Sequence, residues 1–144
     1  MKTDTKIFGN IEVDEDSVII FAGGLLGLED FKEYALIALP DNDKFLCLQS
    51  VEDAGLAFFV INPWDFFPDY EVDIPDVEMA SVGISGPEKA SVYCILTVSG
   101  EIKDMTANLL APIVINGEKN RGKQLVLAES KYNTKHRLFQ EKGV

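Results

Sequence analysis

Phe45-Leu46-Cys47-Leu48-Gln49-Ser50, then Val51-Glu52-Asp53-Ala54-Gly55, then Leu56-Ala57-Phe58-Phe59-Val60-Ile61, decides the reading of the fold. Two short runs rich in aromatic and branched apolar residues flank an acidic, glycine-containing break. Neither run is long enough for a typical helix, so the pattern predicts two strands joined by a tight turn. Asn62-Pro63 closes the second run, as proline does where a ladder donor is lost.

Working outward, the same grammar repeats. Ser91–Val98 is a long β-rich run. Ile113-Val114-Ile115 and Leu125-Val126-Leu127 flank Asn116-Gly117 and Arg121-Gly122, which predicts a C-terminal hairpin with turns at those two dipeptides. Upstream, Ile7–Asp14 alternates as a half-buried strand does, and Val18–Phe21 is expected to be its pairing partner before the Gly23-Gly24 break. Phe31, Tyr34 and Ala35 recur at helical spacing, predicting one short helix or turn before Leu36–Leu39, which Pro40 ends. Tyr70–Ile74 alternates with acids on its polar face, and Pro75-Asp76 opens a brief helix ending near Gly83. Seven to nine short strands with few helical crossovers predict a mainly β, small antiparallel barrel-like single domain over residues 1–144, with one or two short helices. A polar, basic tail is expected from about residue 131.

The 144 residues suit one core, and 47% hydrophobic with 26% charged residues excludes a disordered chain. The net charge is −11, split into −15 over residues 1–116 and +4 over 117–144. Such a field repels phosphate backbones, so direct nucleic-acid binding is disfavoured and a basic protein partner is the natural complement. Ser17–Leu28, a largely apolar uncharged run, is too short to cross a bilayer. With no secretory pattern at the start, the expected location is the cytoplasm.

Groups for catalysis are scarce. His136 is the only histidine and lies in a polar, basic stretch, so it offers neither a multi-histidine metal site nor a base for a cysteine. Cys47 and Cys94 sit in strand-like apolar runs as small buried hydrophobes. Gly23-Gly24-Leu25-Leu26-Gly27 has neither phosphate-loop nor dinucleotide spacing. Asp14-Glu15-Asp16 and Asp41-Asn42-Asp43 lack the pattern of a calcium loop. No metal, cofactor or enzymatic activity is expected. Pro63–Asp73 stands apart, because four aromatics interleave there with four acids and two prolines stiffen the backbone. Either the aromatics fill the core and the acids face water, or both meet a partner.

Met105-Thr106-Ala107-Asn108-Leu109-Leu110-Ala111-Pro112-Ile113-Val114-Ile115-Asn116 resembles the TANLLAPIVIN signature of the FliW family of flagellar assembly factors. Phe8-Gly9 with Ile11, Phe21 with Gly24-Leu25, Gly27 with Glu29, Leu48-Gln49-Ser50, Asp69-Tyr70, and Tyr132 with His136 agree with it in order. Leu26 and Leu28 depart from the family's usual proline and phenylalanine. The resemblance implies a non-enzymatic regulator that binds flagellin and the RNA-binding translational repressor CsrA, exchanging one for the other, and that is monomeric when free. Asp69, Glu71 and Asp73, on one face if Tyr70–Ile74 is a strand, are expected to supply part of the protein-binding surface, with Phe67 and Tyr70 as aromatic anchors. Thr106, Ala107, Asn108, Pro112 and Asn116 are signature residues with expected structural roles: Asn108 in a turn, Pro112 at a strand start or edge. A chaperone for flagellin alone, or a small β-barrel hydrolase or ligand carrier using Cys47, Cys94, His136 and scattered acids, are the competing readings.

Overall fold

A computed structural model describes residues 1–98, 100–128 and 130–139. The strands in it are β1 (Lys2–Thr5), β2 (Gly9–Glu12), β3 (Ile19–Ile20), β4 (Glu33–Leu39), β5 (Asn42–Ser50), β6 (Ala57–Ile61), β7 (Ala90–Thr97), β8 (Thr106–Ala107), β9 (Ile113–Asn116), β10 (Arg121–Gln124) and β11 (His136–Arg137), with one α-helix, α1 (Asp76–Ser81). Following the pairings through β7, β6, β5, β4, β3, β10 and β9 leads back to β7, so seven strands close a barrel. The mainly β, barrel-like expectation holds. All its pairs are antiparallel except β3 with β10.

The expected central hairpin is present. Leu48 pairs with Phe58 and Cys47 with Phe59, and the acidic break makes the turn between them. Gln49 is fully buried next to that turn: its Nε2 donates to the Ser50, Ala54 and Leu56 carbonyls, while its Oε1 accepts from the Lys6 amide. A buried amide with its donors and acceptor met adds specificity rather than a desolvation penalty.

Phe21, Tyr34, Leu48 and Ile113 fill the barrel interior, with Phe21 and Tyr34 packed edge to face at 5.4 Å between ring centres. Burial of each such side chain stabilises the fold by roughly 1.5–3 kcal/mol. The Tyr34 hydroxyl is buried with no hydrogen-bond partner among the described residues, and burial, with the Glu52 charge second, pushes its pKa up to about 12. Tyr34→Phe removes this orphan polar group without opening a cavity. Thermal unfolding of that variant is expected to show stability unchanged or raised by up to about 1 kcal/mol. A loss larger than that would mean the hydroxyl is satisfied.

Several sequence expectations need correction. Ile7–Asp14 does not pair with Val18–Phe21: β2 pairs instead with β1, Thr3 facing Ile11, and β3 pairs with β4. The polar β1 carries little apolar signal, yet Thr5 Oγ1 accepts from the Phe8 amide and donates to the Gly9 carbonyl, which ties the turn. Of the helix or turn expected before Leu36, the turn is what forms, through Leu28 and Phe31, and β4 starts earlier than expected, at Glu33, where ladder bonds on both sides outweigh local helical spacing. The C-terminal hairpin exists, but its second strand is Arg121–Gln124, not Leu125–Leu127, so Arg121-Gly122 is ladder and not turn. Gly122 is in the strand because the fully buried Phe21 ring lies against it, leaving no room for a side chain. Asp76–Ser81 is helical as expected, and Gly83 follows it at φ 77°.

The signature segment is itself an architectural device. β7 hands one edge from β9 (Ala90–Tyr93) to β8 (Leu96–Thr97), so residues 106–116 run antiparallel along a single strand with an excursion at 108–112. Asn108 Oδ1 accepts from the Ala111 amide at 3.0 Å and holds that excursion in shape. The carbonyls of its last four residues are occupied: Leu109 by the Tyr70 hydroxyl, Leu110 by the Leu127 amide, Ala111 by Gln124 Nε2, and Pro112 by the Leu125 amide. Pro112, immediately before β9, is fully buried where no donor is wanted. Thr106 and Ala107 form β8. Asn116 ends β9, its Nδ2 donating to the Val82 carbonyl and its Oδ1 accepting from the Glu118 amide.

Candidate protein-binding face

The aromatic and acidic segment begins with a 3-10 turn at Pro63–Asp65, set by Asn62 Oδ1 accepting from the Trp64 amide. Proline at the first position of this turn gives up no needed donor. Trp64 Nε1 then donates to the Tyr70 carbonyl at 2.9 Å, folding the segment back on itself. Tyr70–Ile74 forms no ladder, so the expected strand is absent, although burial alternates as predicted: Tyr70 buried, Val72 and Ile74 half-buried, Glu71 and Asp73 exposed. The alternation was readable because it reports which side faces the core. The missing ladder was not readable, because no neighbouring strand lies beside it.

Tyr70 goes inward rather than outward. Its hydroxyl donates to the Leu109 carbonyl at 2.7 Å inside the second core cluster, and burial, then Cys94, raises its pKa. As a buried prop it fixes the segment to the signature excursion and presents no ring to a partner. Phe67 is half-buried, 6.1 Å from the His136 ring. Tyr132 closes the set: its ring lies 4.7 Å from that of Tyr70 and 5.8 Å from that of His136, and its hydroxyl accepts from the Glu71 amide at 2.8 Å. Tyr132 and His136–Leu138 are therefore built into the barrel, with β11 paired to β8 and Leu138 buried. The polar, basic segment expected from about 131 is held against the fold as far as Leu138, and residues 140–144 lie outside the described residues.

On this aromatic scaffold Asp65, Asp69, Glu71 and Asp73 are all exposed. The ion pairs among the described residues lie elsewhere and use none of the four. Unpaired exposed carboxylates leave a negative field available to a partner. Glu71, Val72, Asp73 and Pro75 also line one part of a solvent-open groove of about 780 Å³, whose other part is Val126–Ala128 with Ser130–Tyr132. Sequence reading missed the 126–131 contribution, because Val126 looked like an ordinary core residue of a strand.

The chemistry of the remaining groups is inert. Cys94 is buried, which pushes its thiol up to about 12, and burial likewise raises Cys47. Neither has the thiolate character that nucleophilic chemistry requires. Among the described residues no three of His, Cys, Asp and Glu converge as a metal site would need. No helix among the described residues is long and apolar enough to cross a membrane.

His136 Nε2 accepts from the Asn133 amide at 3.0 Å, a bond only the neutral ring can accept. Partial burial lowers its pKa below the usual histidine value. The unfolded chain therefore binds a proton at higher pH than the folded one. This contribution to stability is complete above the unfolded value near 6.5 and is lost as pH falls through the lowered folded value. Thermal melts of His136→Gln should show a smaller drop between about pH 6.5 and 5 than the parent protein does. An equal drop in both would remove His136 from the pH response.

The chain matches the model of the FliW protein family over residues 2–138. It is 44% identical over 142 residues to the flagellar assembly factor FliW of Geobacillus sp. (strain WCH70), covering 99% of this chain and 98% of that protein. It is 42% identical to the one from Alkaliphilus metalliredigens (strain QYMF), covering 98% and 88%. A crystal structure of the flagellar assembly factor FliW superposes with a TM-score of 0.94 at 42% identity, covering 99% of this chain and all of the other. Sequence signature, full-length relatives and closed barrel agree, and the chain belongs to the FliW family.

Proposed function

We propose that this protein is a cytoplasmic, non-enzymatic partner switch in flagellar assembly that binds flagellin and the translational repressor CsrA in competition. Unsecreted flagellin occupies it and leaves CsrA free to repress flagellin synthesis; export of flagellin frees it to antagonise CsrA. The observation that carries this reading is the set of exposed acids Asp65, Asp69, Glu71 and Asp73, without an ion pair among the described residues, on an aromatic support, in a chain belonging to a family named for flagellar assembly. Such a face suits a basic, RNA-binding protein, and electrostatic complementarity of this kind chiefly sets association rate and specificity. Membership of a family named for flagellar assembly supports flagellin as the second partner.

The carrier or hydrolase reading has less support, since the barrel interior is occupied by Phe21, Tyr34, Leu48 and Ile113. Competition is tested by calorimetric titration of CsrA into the free protein and into protein saturated with flagellin. The switch predicts CsrA binding by the free protein and an apparent affinity at least about fivefold weaker with flagellin bound. Equal affinity in both titrations would contradict exchange. Binding of flagellin with none of CsrA would leave a flagellin chaperone.

A further inference from the structure

The groove between residues 71–75 on one side and 126–128 with 130–132 on the other has unused backbone on both sides. Leu125 and Leu127 donate their amides to the Pro112 and Leu110 carbonyls, so the intervening Val126 amide is directed away from that neighbour, as alternate donors along an extended chain are; the Ala128 amide follows at the turn in which Ser130 donates back to the Leu127 carbonyl. Neither has an acceptor among the described residues. Opposite them, the Glu71 amide reaches across to the Tyr132 hydroxyl, and the Asp73 amide, two residues on and on the same side of the segment, has no acceptor among the described residues. Half-buried Val72, half-exposed Val126 and the Tyr132 ring supply apolar surface between these edges, while Glu71 and Asp73 stand exposed at the rim.

We infer that this groove accepts one extended peptide segment of a protein partner, with apolar and basic residues alternating, which pairs by its backbone with Val126 and Ala128 and by its basic side chains with Glu71 and Asp73. This deepens the partner-binding reading and rests on it for the source of the segment. Strand addition to an open edge draws affinity from main-chain hydrogen bonds and specificity from alternate side chains. Two-residue alternation in the peptide matches the alternation of Glu71 and Asp73 with Val72. A second copy of this chain is a poor occupant, because its own net charge of −11 opposes the acids at the rim.

The probe is the capped peptide Lys-Val-Lys-Val-Lys-Val, followed by ¹⁵N chemical shifts and amide exchange of the folded protein. A second peptide of the same sequence has alternate backbone amides N-methylated, which keeps the side chains but removes ladder donors. The expected result is saturable binding, slowed exchange at Val126 and Ala128, at least about tenfold weaker binding of the methylated peptide, and weakening by Glu71→Lys with Asp73→Lys. Absence of binding, or binding without protection of Val126 and Ala128, overturns the inference. Flagellin and CsrA are examined in parallel by the same exchange measurement. Their binding without protection at these amides discards the groove and keeps the partner switch; peptide binding with neither protein bound keeps the groove and discards the switch.

Discussion

Gly122→Ala is expected to destabilise the protein by about 1–3 kcal/mol or more, one of the largest effects of adding a single methyl anywhere in the barrel. A Cβ at this position would lie 2.7 Å from Phe21 Cζ and 2.9 Å from Cδ1. Phe21 cannot move aside, because it is fully buried and its ring abuts Tyr34. The only relief is to push β10 away from β3, and those two strands form the single parallel seam that completes the barrel. At this chain length the loss corresponds to a fall of roughly 3 °C or more in Tm for each kcal/mol. Phe21→Leu in the Gly122→Ala background should recover part of it, since the smaller side chain makes room. Additive losses in the double variant would show that the glycine is needed for some reason other than the ring.

Glu71→Lys combined with Asp73→Lys is expected to slow association with CsrA by about tenfold or more at low salt and to flatten its dependence on ionic strength. Dissociation should change less, because exposed charges act mainly on the encounter. Thermal stability should stay within about 0.5 kcal/mol, as both side chains are exposed and make no ion pair among the described residues. The bond from the Glu71 amide to Tyr132 belongs to the backbone and survives the change. Stopped-flow or surface-plasmon kinetics at several salt concentrations read all three quantities. An unchanged association rate in a folded variant would move the CsrA surface away from these acids.

How far the molecule was readable from its residues depended on which force set each feature. β5, β6, β7 and α1 were legible because apolar periodicity and turn residues act within a few positions of one another. β1 and the shifted β10 were not, because a side-chain cap at Thr5 and the contact of Phe21 with Gly122 join residues that periodicity does not connect. In the candidate site, the exposure of Glu71 and Asp73 was legible from alternation, whereas the inward turn of Tyr70 depends on the distant Leu109 carbonyl. The wall at Val126–Ala128 was hidden for the same reason. Its free edge exists only because Leu125 and Leu127 are held by the signature excursion.

The most direct test of the partner switch is to titrate this protein into a preformed complex of CsrA with its RNA, follow RNA release by fluorescence anisotropy, and repeat the titration with flagellin present. The account predicts stoichiometric release of RNA that added flagellin reverses. RNA that stays bound to CsrA while flagellin is captured would contradict it, reducing the protein to a flagellin chaperone and removing CsrA from its mechanism.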